Sequence, residues 1–534
     1  MTANGDASSR FTNIKSVCII GAGPSGLAAA KYFVAEKYFE NIDVYEQRGR
    51  VGGLWNYTPE QRQQTSFKIP NTDPHVPLEE PIWRKKPLHN SGTNGWHGIM
   101  TNGQEMVSCE EVEGAVVDEE EGDEFDVDLK EAQFISPIYD RLETNIPRSL
   151  MRYSDYPFDD RLQLFPKHNE VLDYLEHYAN DVRHLIRFEH QITDVRLCDN
   201  GQWNVRIIDL PSGDTKEEVY DAVVAASGHF AVPYVPEIEG VEEWDRTFPG
   251  SLSHSKFFRA PEQYAERKVI VVGNSASGLD IGGQIAPLCK TPLLASVKSE
   301  SYLAHGASDP KVKLELPPIS RFELDRRAVH FENGHKETDV DHIIFATGYL
   351  YSFPFLDSIT PPLITDGTRV QNTYQHLVYA PHPTLALPTL NQKIIPFPVA
   401  QVQAAVLARL YSGRLSLPSY LDMRKWEEKR IAAAGGGNKF HEFKFPEDGE
   451  YINMLADWAL QADKRYGLED EGKGKKSPRW DSKDFWTRER FPAIRKAFVS
   501  KGRERSCVRR LEEVGFVPEP NGVGEHANGE KQPL

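Results

Sequence analysis

Cysteine is scarce in this chain. Five occur in 534 residues (Cys18, Cys109, Cys198, Cys289 and Cys507), and no two form a C-x-x-C pair. That spacing excludes a zinc ribbon and a dithiol redox centre, and no metal site is read elsewhere. Cys18 lies in a strand-type apolar run and reads as a small apolar residue. Long hydrophobic runs are missing too. No stretch approaches the roughly 18 apolar residues that a membrane-spanning helix requires. Met1 to Asn13 is polar and lacks the apolar core of a signal peptide. Lys531-Gln-Pro-Leu534 carries neither a retention nor a prenylation signal. The expected address is cytoplasmic. Positive charge is in deficit: 62 Lys and Arg against 79 Asp and Glu give a net charge of −17, which argues against a nucleic-acid partner. Much of the excess is local, because Glu110 to Asp126 holds ten acidic residues and no basic one. A solvated loop explains such a run better than a metal or basic-partner site. The remaining composition, 39% hydrophobic and 26% charged, is that of an ordinary globular chain with room for two to four domains.

What is present begins with Val17 to Ile20, a short apolar run of strand type. It leads into Gly21, Ala22, Gly23, Pro24, Ser25 and Gly26, a G-x-G-x-x-G turn. Leu27 to Phe39 reads as a helix opening on small residues, and Ile42 to Tyr45 as a second strand ending at Glu46, 20 residues past Gly26. Each part has a mechanical role. Gly21 permits the tight turn, Gly23 lets a pyrophosphate approach the backbone, and Gly26 lets helix and strand pack closely. The helix N-terminus offers free N–H groups to phosphate. A carboxylate at position 46 can accept from both ribose hydroxyls.

A second unit of this kind begins at Lys268. Val269 to Val272 is strand-like and is followed by Gly273, Asn274, Ser275, Ala276, Ser277 and Gly278, then a helix from Leu279. Ser275 stands where the middle glycine is usual. Leu293 to Val297 is the next strand, and Lys298 now occupies the place 20 residues past the last glycine. A lysine there suits a 2′-phosphate better than a free ribose diol. Each unit closes on a strand and a small-residue turn: Tyr220 to Ala226 before Ser227-Gly228, and His342 to Ala346 before Thr347-Gly348.

Between and beyond these units the pattern is weaker. Asn56 to Gln133 reads as surface loop plus an acidic, partly disordered insert near residues 90–132. Pro147 biases Ile146 to extended geometry, which places Asn145 in a fixed loop. His168 to Ala179 reads as an amphipathic helix, and Ile192 to Leu197 with Trp203 to Ile208 as a hairpin through Asn200-Gly201. Val399 to Leu410 reads as a helix with Gly413 as its C-cap. The region from Trp426 on is polar and helical in places, ending in a disordered tail at residues 518–534.

Two dinucleotide units in one chain, one ending in an acid and the other in a lysine, imply FAD plus NADPH. A disulfide reductase would need a paired cysteine beside the flavin. In these motifs the chain resembles the flavin-containing monooxygenase family, the nitrogen- and sulfur-oxidising branch of the class B flavoprotein monooxygenases. The resemblance rests on Gly21 to Gly26, on Glu46 with Val51-Gly-Gly-Leu-Trp55, and on Leu142-Glu-Thr-Asn-Ile-Pro147. The family's F-x-G-x-x-x-H-x-x-x-[F/Y] pattern stands as Phe248, Gly250, His254 and Phe258. Gly273 to Gly278, Phe345-Ala-Thr-Gly-Tyr349 and Phe397-Pro-Val-Ala-Gln-Val-Gln-Ala404 complete it. The departures are Ser275, Gln401 where Glu is frequent, and the long segment from Asn56 to Gln133. Baeyer–Villiger relatives typically end the pattern in Trp followed by Pro or Asp, whereas Phe258-Arg259 stands here.

The resemblance implies an α/β fold of two Rossmann-like domains, with the NADPH domain inserted into a discontinuous FAD domain. Residues 16–232 and 346–517 would form the FAD part, the latter with a C-terminal helical region, and 233–345 the NADPH part. It further implies that NADPH reduces the flavin, that oxygen is captured as a C4a-hydroperoxide, and that an amine nitrogen or a thiol or sulfide sulfur attacks it. Asn145 is then the catalytic residue beside flavin and nicotinamide. The implied cofactor-binding set is Gly21 to Gly26, Glu46, Gly53, Leu54, Trp55, Thr144, Asn145, Val195, Gly273, Ser275, Ser277, Gly278, Lys298, Thr347 and Gly348. His254 is expected to brace the linker between domains, because this chemistry requires no base there. The expected partners are a small nucleophilic substrate and dioxygen, with a homodimer possible. A Baeyer–Villiger oxygenase and an uncoupled NADPH oxidase remain as alternatives.

Overall fold

The computed structural model describes residues 10–59, 68–85, 130–299, 303 and 309–518. Ser16–Ile20 is an interior strand of a seven-stranded sheet. It pairs in parallel with Asn41–Glu46 on one side and Ala222–Ala225 on the other. Ile186–Phe188 extends the first edge. On the far side Leu385–Ala386 pairs in parallel with Ala222–Ala225, and two short antiparallel strands close the sheet. The first sheet therefore takes strands from both sides of the second unit in the sequence.

That second unit has its own five-stranded parallel sheet. Its order is Leu252–His254, His342–Phe345, Val269–Val272, Leu293–Ser296 and Lys313–Leu316. The two crossings between units, Val232–Pro233 and Tyr349–Leu350, pair with each other in antiparallel fashion. The inserted arrangement is thus held by its own linkers.

The apolar runs explain the layering. Val17, Cys18 and Ile19 are fully buried, as parallel strands covered on both faces require. The helix Pro24–Ala35 opens with proline, whose fixed φ suits the first turn. Its Ala28, Ala29 and Ala30 let it pack closely against Pro396–Tyr411, a helix buried all round and therefore internal. Burial of each Val or Leu there is worth about 1.5–3 kcal/mol.

Several expectations shift. The run from Tyr220 to Ala226 is two elements: Thr215–Tyr220 closes a three-stranded antiparallel sheet, and Ala222–Ala225 enters the parallel one. The C-terminal region is more than a polar appendage. Helix Glu447–Leu460 buries Tyr451, Ile452, Leu455 and Ala456 in the core of the first unit. The disordered tail lies outside the described residues, except for Pro518.

Most of the acidic insert also lies outside them, but its flanks do not. Ile82–Lys85 and Lys130–Gln133 form an antiparallel ladder, with Lys85 opposite Lys130. Residues 130–132, read as part of the insert, are strand. The two ends of the insert are therefore adjacent and could be joined by a short turn. Deleting residues 88–127 leaves a loop of about four residues, a common hairpin length. The expected result is unchanged flavin content per protein, read from flavin absorbance. Loss of flavin would make the insert part of the site.

Candidate active site: two glycine loops and the turn between them

In the first loop Gly21 has φ +100°, and a Cβ there would sit 2.8 Å from the Ala226 carbonyl oxygen. In the second, Gly273 has φ +103° with the Ala346 oxygen 2.5 Å from the same position. The two small-residue turns noted in the sequence are thus lids against which each glycine loop closes. Gly26 and Gly278 are equally confined: a Cβ would fall 1.9 Å from the Gly21 oxygen and 2.1 Å from the Gly273 oxygen.

Both glycine-loop helices, Pro24–Ala35 and Ala276–Ile285, lack a side-chain cap and an acidic first turn. Some helices elsewhere are capped, Tyr420–Ala434 by Ser419 and Ser482–Ser500 by Asp481, whereas the internal helix Pro396–Tyr411 and Glu447–Leu460 also lack a side-chain cap. Uncapped N–H groups with no nearby acid are what an incoming phosphate needs. Ser275 and Ser277 are exposed at the second of these ends.

Glu46 is only 2% exposed. Its Oε2 accepts from the Ala22 N–H at 2.8 Å and its Oε1 from the Arg48 N–H at 2.9 Å. Burial pushes its pKa up, opposed by Arg48 and by those N–H donors. The carboxylate therefore braces its own loop, and each oxygen keeps lone-pair capacity for a ribose hydroxyl. In the second unit the corresponding brace is Asn274, whose amide donates to the Ser299 oxygen at 2.7 Å. Lys298 is exposed beside it. Asn274 was missed in the sequence, although an amide next to the first glycine is a signal for this contact.

The Val51–Trp55 stretch folds over the first loop. Gly53 has φ +55°, and a Cβ there would meet the Gly23 Cα at 3.0 Å. Asn56, also missed, donates to the Val51 and Gly53 oxygens at 3.0 and 2.9 Å and holds this turn. The Leu54 oxygen accepts from the Ser136 hydroxyl, and Trp55 meets Phe397 edge-on at 6.4 Å. These glycine-lined backbones, with no side chain between them, fit a pyrophosphate-bearing cofactor.

Asn145 lies between the units. Leu142 packs against the second unit's core, while Ile146 is buried in the first unit's. The Thr144 N–H donates to the Pro166 oxygen, and its hydroxyl to the Ile146 oxygen at 2.9 Å. Thr144 thus shapes the turn. Asn145 is half-buried, and its amide bonds to no described residue. A turn-forming asparagine would bond to nearby backbone; this one keeps its donor and acceptor uncommitted. Downstream, the Tyr153 hydroxyl donates to the Pro24 oxygen at 2.8 Å and ties the segment to the first glycine loop.

The remaining positions make the following contacts within the protein. Val195 is fully buried in the core, and its carbonyl accepts from Ser358 at 3.3 Å. The Thr347 hydroxyl donates to the Tyr234 oxygen, and the Gly348 oxygen accepts from His254 Nε2 at 3.0 Å. His254 Nδ1 accepts from the Lys256 N–H at 3.1 Å. Burial lowers the pKa of this ring to about 3. With both nitrogens engaged and the ring held neutral, His254 joins the linker and cannot serve as a base near neutral pH.

Two interleaved Rossmann-like folds, each with a glycine loop opening a helix, define a dinucleotide-binding protein. No disulfide joins any of the described cysteines Cys18, Cys198, Cys289 and Cys507. Among the described residues there is no metal-ligand cluster and no helix long and apolar enough to cross a membrane. A flavin-binding monooxygenase-like family profile matches residues 124–324 and 317–463, and an NAD(P)-binding Rossmann-like profile matches residues 19–71. Flavin-containing monooxygenase iboF of Amanita muscaria (strain Koide BX008) is 30% identical over 509 residues, covering 85% of this chain and 89% of its own. Flavin-containing monooxygenase FMO GS-OX3 of Arabidopsis thaliana is 30% identical over 458 residues, covering 83% and 84%. The solved structure of S-allyl-L-cysteine S-oxygenase from Allium sativum has a TM-score of 0.66 at 25% identity and covers 92% of this chain and 94% of that one. Tmm from Pelagibacter sp. strain HTCC7211 shares the fold, with a TM-score of 0.62 at 21% identity over 90% of each chain. The chain belongs to the flavin-containing monooxygenase family. It is a flavin-dependent monooxygenase.

Proposed function

We propose that this enzyme binds FAD in the first unit and NADPH in the second, and oxygenates a soft nucleophile, either an amine nitrogen or a thiol or sulfide sulfur. The observation that carries the cofactor assignment is the contrast between the two strand ends. Glu46 is buried and hydrogen-bonded to its own loop at the first, while Lys298 is exposed at the second. A diol suits the one and a 2′-phosphate the other. The boundaries follow at residues 232 and 345, with residues 346–517 returning to the FAD part.

The bound flavin, once reduced by NADPH, supplies the activation of dioxygen. The protein's share is binding, orientation and exclusion of water. The two uncapped helix ends take the phosphates, with Ser275 and Ser277 adding hydroxyls at the second. Asn145 presents an amide that both donates and accepts and never titrates. No acid or base has to act on the substrate, which agrees with a neutral, fully engaged His254. Sulfur as target draws support from the names of relatives, among them the S-allyl-L-cysteine S-oxygenase.

The test is oxygen uptake with NADPH and a panel of sulfides, thiols and tertiary amines, with oxygenated product identified by mass. Absence of product with every nucleophile, alongside stoichiometric peroxide, would favour an NADPH oxidase. Product only with ketones would favour the Baeyer–Villiger alternative. Lys298→Ala is expected to raise the KM for NADPH and leave that for NADH nearly unchanged. One charge-assisted contact is worth about 1.5–3 kcal/mol, or roughly 10- to 150-fold. Equal effects on both cofactors would show that Lys298 does not meet the 2′-phosphate.

A further inference from the structure

The acidic residue next to the Asn145 turn is tied to a part of the chain far away in sequence. Glu143 Oε2 lies 3.2 Å from Arg495 NH2. Its Oε1 lies 3.1 Å from Arg505 Nε and accepts from Gln163 Nε2 at 3.3 Å. Arg495 belongs to Ser482–Ser500, the last long helix, and Arg505 to the turn after it. Arg495 NH2 also lies 3.8 Å from Asp280 Oδ1. Asp280 is on the helix of the second glycine loop, where its Oδ2 accepts from the Tyr139 hydroxyl at 2.5 Å and from Gln284 at 2.9 Å.

Arg495 is shielded, stacked over Phe165 at 5.0 Å and Phe498 at 5.4 Å. The helix that carries it is anchored at its other end. Arg488 Nε donates to the fully buried Asp448 at 2.6 Å and its NH2 to the Lys393 oxygen at 3.0 Å. One guanidinium thus spans the Asn145 turn and the second glycine-loop helix from a helix that is itself anchored. Shielded charge pairs are geometrically demanding, so such a bridge fixes position more than it adds stability.

We propose that the C-terminal helix clamps the catalytic turn: Arg495 and Arg505 hold Glu143, and Arg495 joins it to Asp280, so that Asn145 keeps one position relative to both cofactor sites. Glu143, Arg495 and Arg505 are positioning residues, since none of them is required to touch a cofactor. The proposal rests on the assignment of Asn145 to the reacting centre. It predicts that the clamp acts on coupling, the fraction of NADPH oxidation that yields oxygenated product in place of hydrogen peroxide. Small displacements of a positioned group have large consequences for rate.

The experiment compares Arg495→Met, Arg505→Met, Glu143→Gln and Arg495→Lys in the flavin-loaded enzyme. Arg495→Met leaves Glu143 with Arg505, and Asp280 with Tyr139 and Gln284, so no carboxylate is stranded. Three quantities are read: peroxide released per NADPH oxidised, hydrogen exchange of the peptide containing residues 142–147, and thermal midpoint with flavin content. Expected for Arg495→Met is a several-fold rise in peroxide yield and several-fold faster exchange in that peptide, with flavin content and KM for NADPH near wild type. Arg495→Lys should recover part of both. Arg495→Met with Glu143→Gln should be no worse than the larger single effect, because both break one network. Wild-type exchange and peroxide yield in folded Arg495→Met and Arg505→Met proteins would overturn the clamp. So would a general loss of stability and flavin in both, which would make the contact merely structural. If the wild-type enzyme oxygenates nothing, the proposed function fails, and the exchange measurement still decides whether these arginines fix the turn.

Discussion

Replacing Asn145 by alanine is expected to give a yellow protein that is still reduced by NADPH and still consumes oxygen, but returns most of that oxygen as hydrogen peroxide. The argument is geometric. The turn is shaped by Thr144, through its N–H to Pro166 and its hydroxyl to Ile146, and not by Asn145. Alanine should therefore leave the backbone in place. What it removes is an uncommitted amide at the meeting point of the two units. Loss of one preorganised donor costs about 2.7–4 kcal/mol in comparable oxyanion sites, or 10²- to 10³-fold. Asn145→Asp should be at least as damaging, since an ionised carboxylate accepts but does not donate. The measurement is peroxide released per NADPH oxidised, beside product yield with a good substrate. An unchanged ratio in Asn145→Ala, or a protein that has lost its flavin, would return Asn145 to the role of a turn residue.

Much of this site was legible because its parts are local. A strand, a glycine turn and a helix occupy one short stretch, and the turn chemistry names its own residues. Contacts that close over distance were not legible. Glu143 looked like any polar residue in a loop; only the fold brings it to Arg495 and Arg505. The two small-residue turns were seen as similar, but their role as lids over Gly21 and Gly273 needed the parallel pairing of the strands that precede them. The C-terminal half misled through its charge. Arg488 with Asp448, in the region read only as polar and helical in places, is a buried ion pair, as is Arg414 with Glu36. The run across Tyr220 failed for another reason. Asp221 accepts from the N–H groups of Lys15 and Ser16, at 2.8 and 2.9 Å, and separates two strands without interrupting the apolar pattern enough to be noticed.

Gln401, a departure from the family pattern, has a physical account. It is fully buried in helix Pro396–Tyr411. Its Oε1 accepts from the Ser154 N–H at 2.9 Å, and its Nε2 donates to Asp155 Oδ1 at 2.8 Å. An ionised glutamate could make the first bond but would face Asp155 with like charge. The amide suits this neighbour, so the substitution is matched locally and leaves the glycine loops untouched.

The second and third glycines of the first loop, Gly23 and Gly26, separate cofactor binding from folding. Gly26→Ala places a Cβ 1.9 Å from the Gly21 oxygen. The oxygen is backbone and a Cβ is fixed by its own backbone, so neither can swing aside, and the helix must leave the strand. The expected result is loss of flavin together with a lowered thermal midpoint of the flavin-free protein. Gly23→Ala differs. The residue has φ −75° and ψ −175°, which alanine adopts freely. The new Cβ would meet the Gly53 Cα at 3.5 Å, an ordinary contact. Exchanging a helix-capping glycine for alanine costs up to about 1 kcal/mol, and a change of that size moves the midpoint of a chain this long by only about 1 °C. The methyl group nevertheless stands where a pyrophosphate must approach the backbone. Gly23→Ala should therefore fold nearly as well as the flavin-free wild type and purify with little or no flavin. Flavin absorbance per protein and the thermal midpoint, each measured before and after added FAD, distinguish the cases. A Gly23→Ala protein that holds FAD as tightly as wild type would mean that the cofactor's phosphates do not cross this loop, and the assignment of FAD to the first unit would fall with it.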